Sequence, residues 1–262
     1  MQYEWIGSKQ PFLDKISLKS LGEIHIGCFG GSKSNGAFKN EDALFLMQEE
    51  DGSWIFTCLL DAHNSAESAE IIIELLKNNS NQIHKICSSE TAFSDIEPYI
   101  LSLFSEDNFK SRCKDITGET SCLICYQSGA YLWWFSIGDC MAYLFHPDLA
   151  KFNQYGLNQR QFFEWVGQVN TFDLSVPCYT SGRRQLRYGS NYIVLATDGV
   201  LEYGDGYYQS SHNLYNSFVK GDRIDQNLHT ILDNIMKDRV RDSASVVCWE
   251  VINKQQGLFP SD

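Results

Sequence analysis

The chain has 262 residues, 43% of them hydrophobic and 21% charged, the balance of a folded globular domain rather than of a disordered or fibrous chain. A formal charge of -12 and a pI near 4.9 argue against nucleic acid as a partner, since that affinity comes from Lys and Arg neutralising phosphates, and they suit a divalent cation held by carboxylates. No apolar run approaches the ~18 residues of a membrane span, and the start, Met1-Gln2-Tyr3-Glu4-Trp5, lacks the basic-then-apolar order of a secretory leader, so no membrane partner is expected and the expected location is cytoplasmic.

From the N-terminus, Glu23 to Phe29 reads as extended, and Gly30 to Gly36 as a loop rich in breakers. Ala43 to Gln48 and Ser53 to Leu60 read as strands joined at Asp51-Gly52, a hairpin signal that puts Asp61 at a strand end. Ser65 is placed to cap a helix whose Ala66, Ala69, Ile72, Ile73 and Leu76 share one face, and a second helix is expected within Phe93 to Phe109. Thr120 to Tyr126, Tyr131 to Ile137 and Met141 to Phe145, joined by Ser128-Gly129-Ala130 and Gly138-Asp139, predict an antiparallel meander. The stretch from Pro147 to Gly189 is loop-rich and aromatic, with the look of a flap over a site. Tyr192 to Thr197 reads as a strand running into Asp198-Gly199. Ile224, Leu228, Ile231, Leu232, Ile235 and Met236 make the apolar stripe of a late helix, and Asp242 precedes a last strand, Ala244 to Val251. Strands in runs with segregated helices predict two antiparallel sheets flanked by helices.

Nine cysteines, an odd number without a leader, read as reduced thiols. Cys122 and Cys125 have zinc-knuckle spacing, but no second Cys or His pair follows and apolar residues surround them, which fits buried strand thiols better. Cys178 and Arg184 have the Cys-x5-Arg spacing of thiolate phosphatases; the flanking residues, however, provide neither the strand before nor the helix after that such a phosphate cradle needs.

Asp61, Asp198 and Asp242 come from distant parts of the chain and each stands at a strand boundary. Any one alone reads as a solvated turn carboxylate. The strings around them carry more: Asn40-Glu41-Asp42, Asp61-Ala62-His63, Gly118-Glu119-Thr120, Ile137-Gly138-Asp139, Ala196-Thr197-Asp198-Gly199-Val200 and Asp242-Ser243-Ala244-Ser245. In that order, over residues 27 to 251, they resemble the metal-dependent Ser/Thr protein phosphatases of the PPM family, type 2C. The resemblance implies an α+β fold, a four-layer α-β-β-α sandwich, as one domain over 1–262 with a flap-like insertion at about 147–189 and a loose tail at 254–262. It implies two Mn2+ or Mg2+ ions, with Asp61 bridging them, the Ala62 carbonyl on one, and Asp198 and Asp242 on the other. Glu41 would reach the first ion through water, Asp42 would support that shell, Thr120 would orient a metal-bound water, and Asp139 with Asp198 matches a weaker third-metal site.

The implied activity is hydrolysis of phosphoserine and phosphothreonine in a phosphorylated protein substrate by a metal-bridging hydroxide, with His63 protonating the leaving oxygen. Phosphomonoester hydrolysis needs accelerations of up to ~10^21, and two cations roughly 3.5–4 Å apart supply much of that. Departures stand beside the resemblance. The family's phosphate-clamping Arg falls at Ala37; on an extended strand Lys39 shares a face with Glu41 and would replace it with a point charge. Ala62 and Asn64 stand where the family prefers glycine, and Ser243 where it has Asn. A weakly active or inactive metal-binding module that recognises a protein partner is therefore the second reading.

Overall fold

The computed structural model describes residues 1–219 and 223–257. Chain order runs β1 (Gln2–Ile6), β2 (Ile16–Leu21), β3 (Ile24–Phe29), β4 (Asp42–Gln48) and β5 (Trp54–His63), then the helices α1 (Glu67–Asn78), α2 (Ser80–Cys87), α3 (Ala92–Ser105) and α4 (Asp107–Asp115). β6 (Glu119–Ser128), β7 (Tyr131–Ile137) and β8 (Met141–Phe145) precede a stretch holding α5 (Pro147–Ala150), β9 (Val166–Gly167) and β10 (Thr180–Gln185). β11 (Gly189–Ala196), α6 (Asp198–Leu201), α7 (Ser211–Val219), α8 (Ile224–Lys237) and β12 (Ala244–Asn253) follow.

The strands build two antiparallel sheets, in the orders β1-β4-β5-β6-β7-β10, with β9 against β6, and β2-β3-β12-β11-β8. Helices α1 to α4 pack on the outer face of the first sheet and α6 to α8 on the outer face of the second, while the inner faces pack on each other. This is the α+β, four-layer α-β-β-α sandwich. Side chains alternate along a strand, so each strand divides its residues between two cores. In β5, Trp54, Phe56, Cys58, Leu60 and Ala62 face the helices, whereas Ile55 and Leu59 face the other sheet. Phe56, Leu59 and Leu60 are fully buried, each contributing ~1.5–3 kcal/mol of transfer free energy, which makes this strand a rigid support for what its end carries.

Three sequence expectations change. Asp61 does not end its strand, because Ala62 and His63 pair with Thr120 and Glu119 and extend β5 by two residues. The expected meander stops at β7: β8 leaves for the second sheet and pairs with β11. Gly138, at φ 84°, directs the chain across the sandwich there, and the Ser121 hydroxyl holds the crossing by donating to the Ile137 carbonyl at 3.1 Å and accepting from the Cys140 amide at 2.9 Å. The helix expected within Phe93 to Phe109 is two, α3 and α4, meeting at Glu106, whose backbone is extended. β1 and β2 escape sequence reading because they are sheet edges that bury little, so neither shows a clear alternation.

The aromatic stretch between Pro147 and Gly189 is less loop-like than it reads, since β9 pairs with β6 and β10 extends the first sheet beyond β7. Cys122 and Cys125 are both buried and lie on opposite faces of β6, in different cores, so they cannot share an ion. Of the expected loose tail, residues 254–257 are described and 258–262 lie outside the described residues. Among the described residues no helix is long and apolar enough to cross a membrane.

Candidate metal centre

Alternation places the carboxylates. On β4, Leu44 and Leu46 face the inner core, and Asp42 continues that face to the strand's first residue; on β5, Ile55 and Leu59 do the same for Asp61. Asp42 and Asp61 are direct cross-strand partners. Opposite them, Val247 and Trp249 of β12 face the same core, so Ser245 and Ser243 point at the first sheet. Asp42, with no exposed surface, accepts from Ser243 Oγ at 2.8 Å and Ser245 Oγ at 2.6 Å. Both of its oxygens are thus committed to joining the sheets, and the Ser243 hydroxyl gives its proton to Asp42. Burial raises the Asp42 carboxyl to about 7 against the pull of these hydroxyls, with the Asp242 and Asp198 charges adding to the rise.

Asp61, Asp139 and Asp198 form the tightest group, with one oxygen from each within 4.8 Å of the others. Gly138 presents Asp139, and a Cβ at Gly138 would lie 2.7 Å from Ser121 Cα, so the approach of this turn to β6 requires glycine. Asp198 begins α6 just past β11, where Thr197 is clamped to β12: its amide donates to the Ser245 carbonyl at 3.1 Å and its hydroxyl accepts from the Ser245 amide at 2.9 Å. Asp61 Oδ2, Asp139 Oδ1 and Asp198 Oδ1 are buried and lack any hydrogen-bond partner among the described residues. Buried, unpaired carboxylate oxygens are costly, and a hard divalent cation is what such an oxygen-only donor set fits. The Asp61 carboxyl is pushed well above its ordinary range by burial, then by the charges of Asp42, Asp198 and Asp242; Asp139 is raised by burial and by Asp198. Asp242 stands outside the tight trio at the solvent-accessible rim. Its carboxyl is raised to about 6 by desolvation and by Asp198, and accepts from the Ser243 amide at 2.9 Å.

Glu41 pairs with Lys39 at 2.7 Å, and Lys39 also donates to the Asn64 carbonyl at 2.9 Å, so the shared face expected of 39 and 41 is present. Both line a cleft of 470 Å³ together with Ala37, Arg241, Asp242 and Ser243. His63 is half-buried and packs edge-on against Trp165, with centroids 4.9 Å apart. Ala62 is buried on the helix side of β5 with its backbone beside Asp61. Thr120 pairs with Ala62 and shares its helix-facing side; its hydroxyl donates to the Ser121 carbonyl at 2.8 Å, so the fold does not bring that side chain to the inner-face carboxylates.

Sequence reading missed three residues here. Ser245 carries no signal of its own within Asp242-Ser243-Ala244-Ser245, yet alternation on β12 sets it opposite Asp42. Trp165 and Arg160 arrive from the irregular stretch, and Arg160 pairs with Glu202 at 2.7 Å, Asp139 at 3.3 Å and Asp198 at 3.8 Å. No spacing signal announces either. Cys178 is exposed and Arg184 lies on the edge strand β10, so no loop opening a helix exists between them to cradle a phosphate.

No family model matches the sequence, and no curated protein matches it. Solved structures do. An arginine-to-alanine variant of a bacterial serine phosphatase superposes with a TM-score of 0.68 at 14% identity, covering 89% of this chain and 100% of that one. The serine/threonine phosphatase Stp1 from Staphylococcus aureus gives 0.64 at 13%, covering 90% and 97%. RsbX in complex with magnesium gives 0.60 at 14%, covering 90% and 98%. The chain has the fold of the PPM-type serine/threonine phosphatases.

Proposed function

We propose that the protein is a divalent-metal-dependent phosphatase acting on phosphoserine and phosphothreonine in proteins. What carries this reading is the convergence of three buried, unpartnered oxygens, from Asp61, Asp139 and Asp198, at one end of a fold shared with phosphatases. Asp61, Asp198, Asp242 and the Ala62 carbonyl would hold two Mn2+ or Mg2+ ions, with Glu41 reaching one through water. Two such ions activate water and neutralise charge in an in-line phosphoryl displacement. The chain's own residues do the rest. Asp42, fixed by Ser243 and Ser245, holds the two sheet ends at their spacing. The cleft beside Asp242 admits a phosphorylated side chain, and Lys39 on its wall offers the phosphate a positive charge. His63, with its ring oriented by Trp165, donates a proton to the departing oxygen. Phosphorylated proteins are the partners, and the cytoplasm, where eight buried free thiols stay reduced, is the place.

One observation favours the second reading, a metal-binding module of weak activity. Ala37 offers no guanidinium, and Lys39 is already engaged by Glu41 and Asn64. The experiment that decides is phosphate release from a phosphoserine peptide in Mn2+, expected to be abolished by EDTA and untouched by iodoacetamide. Mn2+ binding without turnover would establish the module instead. In the same assay Lys39→Ala is expected to raise KM about tenfold with kcat little changed, the loss of one charge-assisted hydrogen bond. An unchanged kcat/KM removes Lys39 from the site.

A further inference from the structure

Asp139 and Asp198, to which the resemblance assigns a weaker third cation, already share a cationic side chain. We infer that Arg160 is a resident counter-charge that takes the place of a third divalent ion and limits the centre to two; this rests on the metal-centre reading above. The guanidinium pairs with Asp139 Oδ2 at 3.3 Å, Asp198 Oδ2 at 3.8 Å and Glu202 Oε1 at 2.7 Å, with the side chain 20% exposed. It lies over the Phe162 ring, 4.9 Å from the centroid, a cation–π contact that adds to its retention.

The backbone on both sides is fastened to the element that carries Asp139. Asn158, buried, accepts from the Ala142 amide at 2.8 Å and donates to the Cys140 carbonyl and Ser136 Oγ, each at 2.8 Å. The Gln161 amide donates to the Gly138 carbonyl at 2.9 Å. A flexible surface arginine that drifts to the nearest carboxylate would show no such fastening. Here residues 158 to 161 run as a tethered arm along the loop 138–142, and Arg160 is the residue it delivers. A dication on the Oδ2 side of Asp139 and Asp198 would meet the guanidinium at close range, where repulsion in a partly desolvated site is strong. The remaining oxygens, Asp139 Oδ1 and Asp198 Oδ1, are the ones without partners, so the arginine occupies one side of these carboxylates and leaves the side toward Asp61 open.

Equilibrium dialysis of the full chain against Mn2+, with bound metal counted by mass spectrometry, tests this. Wild type is expected to hold two Mn2+ per chain at saturation, and Arg160→Ala a third, weaker one. Arg160→Gln, which keeps the side-chain length without the charge, is expected to gain the same third ion, and circular dichroism checks that each variant is folded. Three ions in wild type, or two in both folded variants, overturns the inference while leaving the metal centre standing. No Mn2+ bound by wild type overturns the metal centre, and the inference with it.

Discussion

Replacing Asp242 by Asn is expected to move stability and activity in opposite directions. In the metal-free protein the Asp242 carboxyl is raised from 3.8 to about 6, chiefly by desolvation and the Asp198 charge. A carboxyl whose folded value is raised binds its proton more tightly when folded, so its contribution favours folding below about pH 4 and is lost as pH climbs through about 6. At pH 7 and above Asp242 therefore costs stability, and Asp242→Asn removes the cost. The shift taken at face value is worth roughly 3 kcal/mol, but the residue is solvent-accessible and screening reduces this to about 1 kcal/mol. Thermal melts in EDTA are expected to show the variant higher by about 2–4 °C at pH 8 and level with wild type at pH 4. With Mn2+ the order reverses, since wild type gains binding free energy that the variant lacks. Turnover should fall by more than ~100-fold, beyond the 10–100-fold cost usual for residues one step behind the ligands. A variant less stable than wild type in EDTA at pH 8 refutes the electrostatic account of the rim.

The second large effect belongs to a residue with no chemistry of its own. Gly199 follows Asp198 in α6, and a Cβ there would fall onto the Ser243 carbonyl oxygen. Its φ lies outside the left-handed region, so the need for glycine is contact, not conformation. The contact joins the turn carrying Asp198 to the residue after Asp242. Gly199→Ala must push these apart, at a cost of about 1–3 kcal/mol for an overpacked contact. Mn2+ affinity is expected to fall at least tenfold, since ligand spacing changes while every ligand remains. Isothermal titration reads the affinity and a melt reads the stability; if neither moves, the α6–β12 contact does not set the spacing.

The parts of the candidate site legible in the sequence are those beside long apolar runs. Asp198 and Asp242 follow or precede an apolar run beside the turn-forming Gly199 and Ser243, Asp61 closes the apolar run that starts at Trp54, and the late helix carries an apolar stripe. What local pattern cannot reveal is which sheet a strand joins. Gly138-Asp139 has the composition of a hairpin turn, yet the chain crosses the sandwich there and β8 pairs with β11 over Met141 to Phe145. That crossing brings Asp139, which the resemblance pairs with Asp198 at a weaker third-metal site, beside Asp61 as well. Strand alternation fixes which face each strand residue takes. Pairing with Ala62 puts Thr120 on the helix side and Ser121 on the inner side, and the same alternation sets Ser245 against Asp42. Arg160 was beyond reach, since its position depends on the Asn158 and Gln161 tethers within an irregular stretch.

The measurement that bears most directly on the whole account is phosphate release from a phosphoserine peptide by wild type and Asp198→Ala across a Mn2+ titration. The account predicts saturable, Mn2+-dependent turnover in wild type that EDTA removes and added Mn2+ restores, with none in Asp198→Ala. Turnover that persists in EDTA, or in Asp198→Ala at saturating Mn2+, contradicts it.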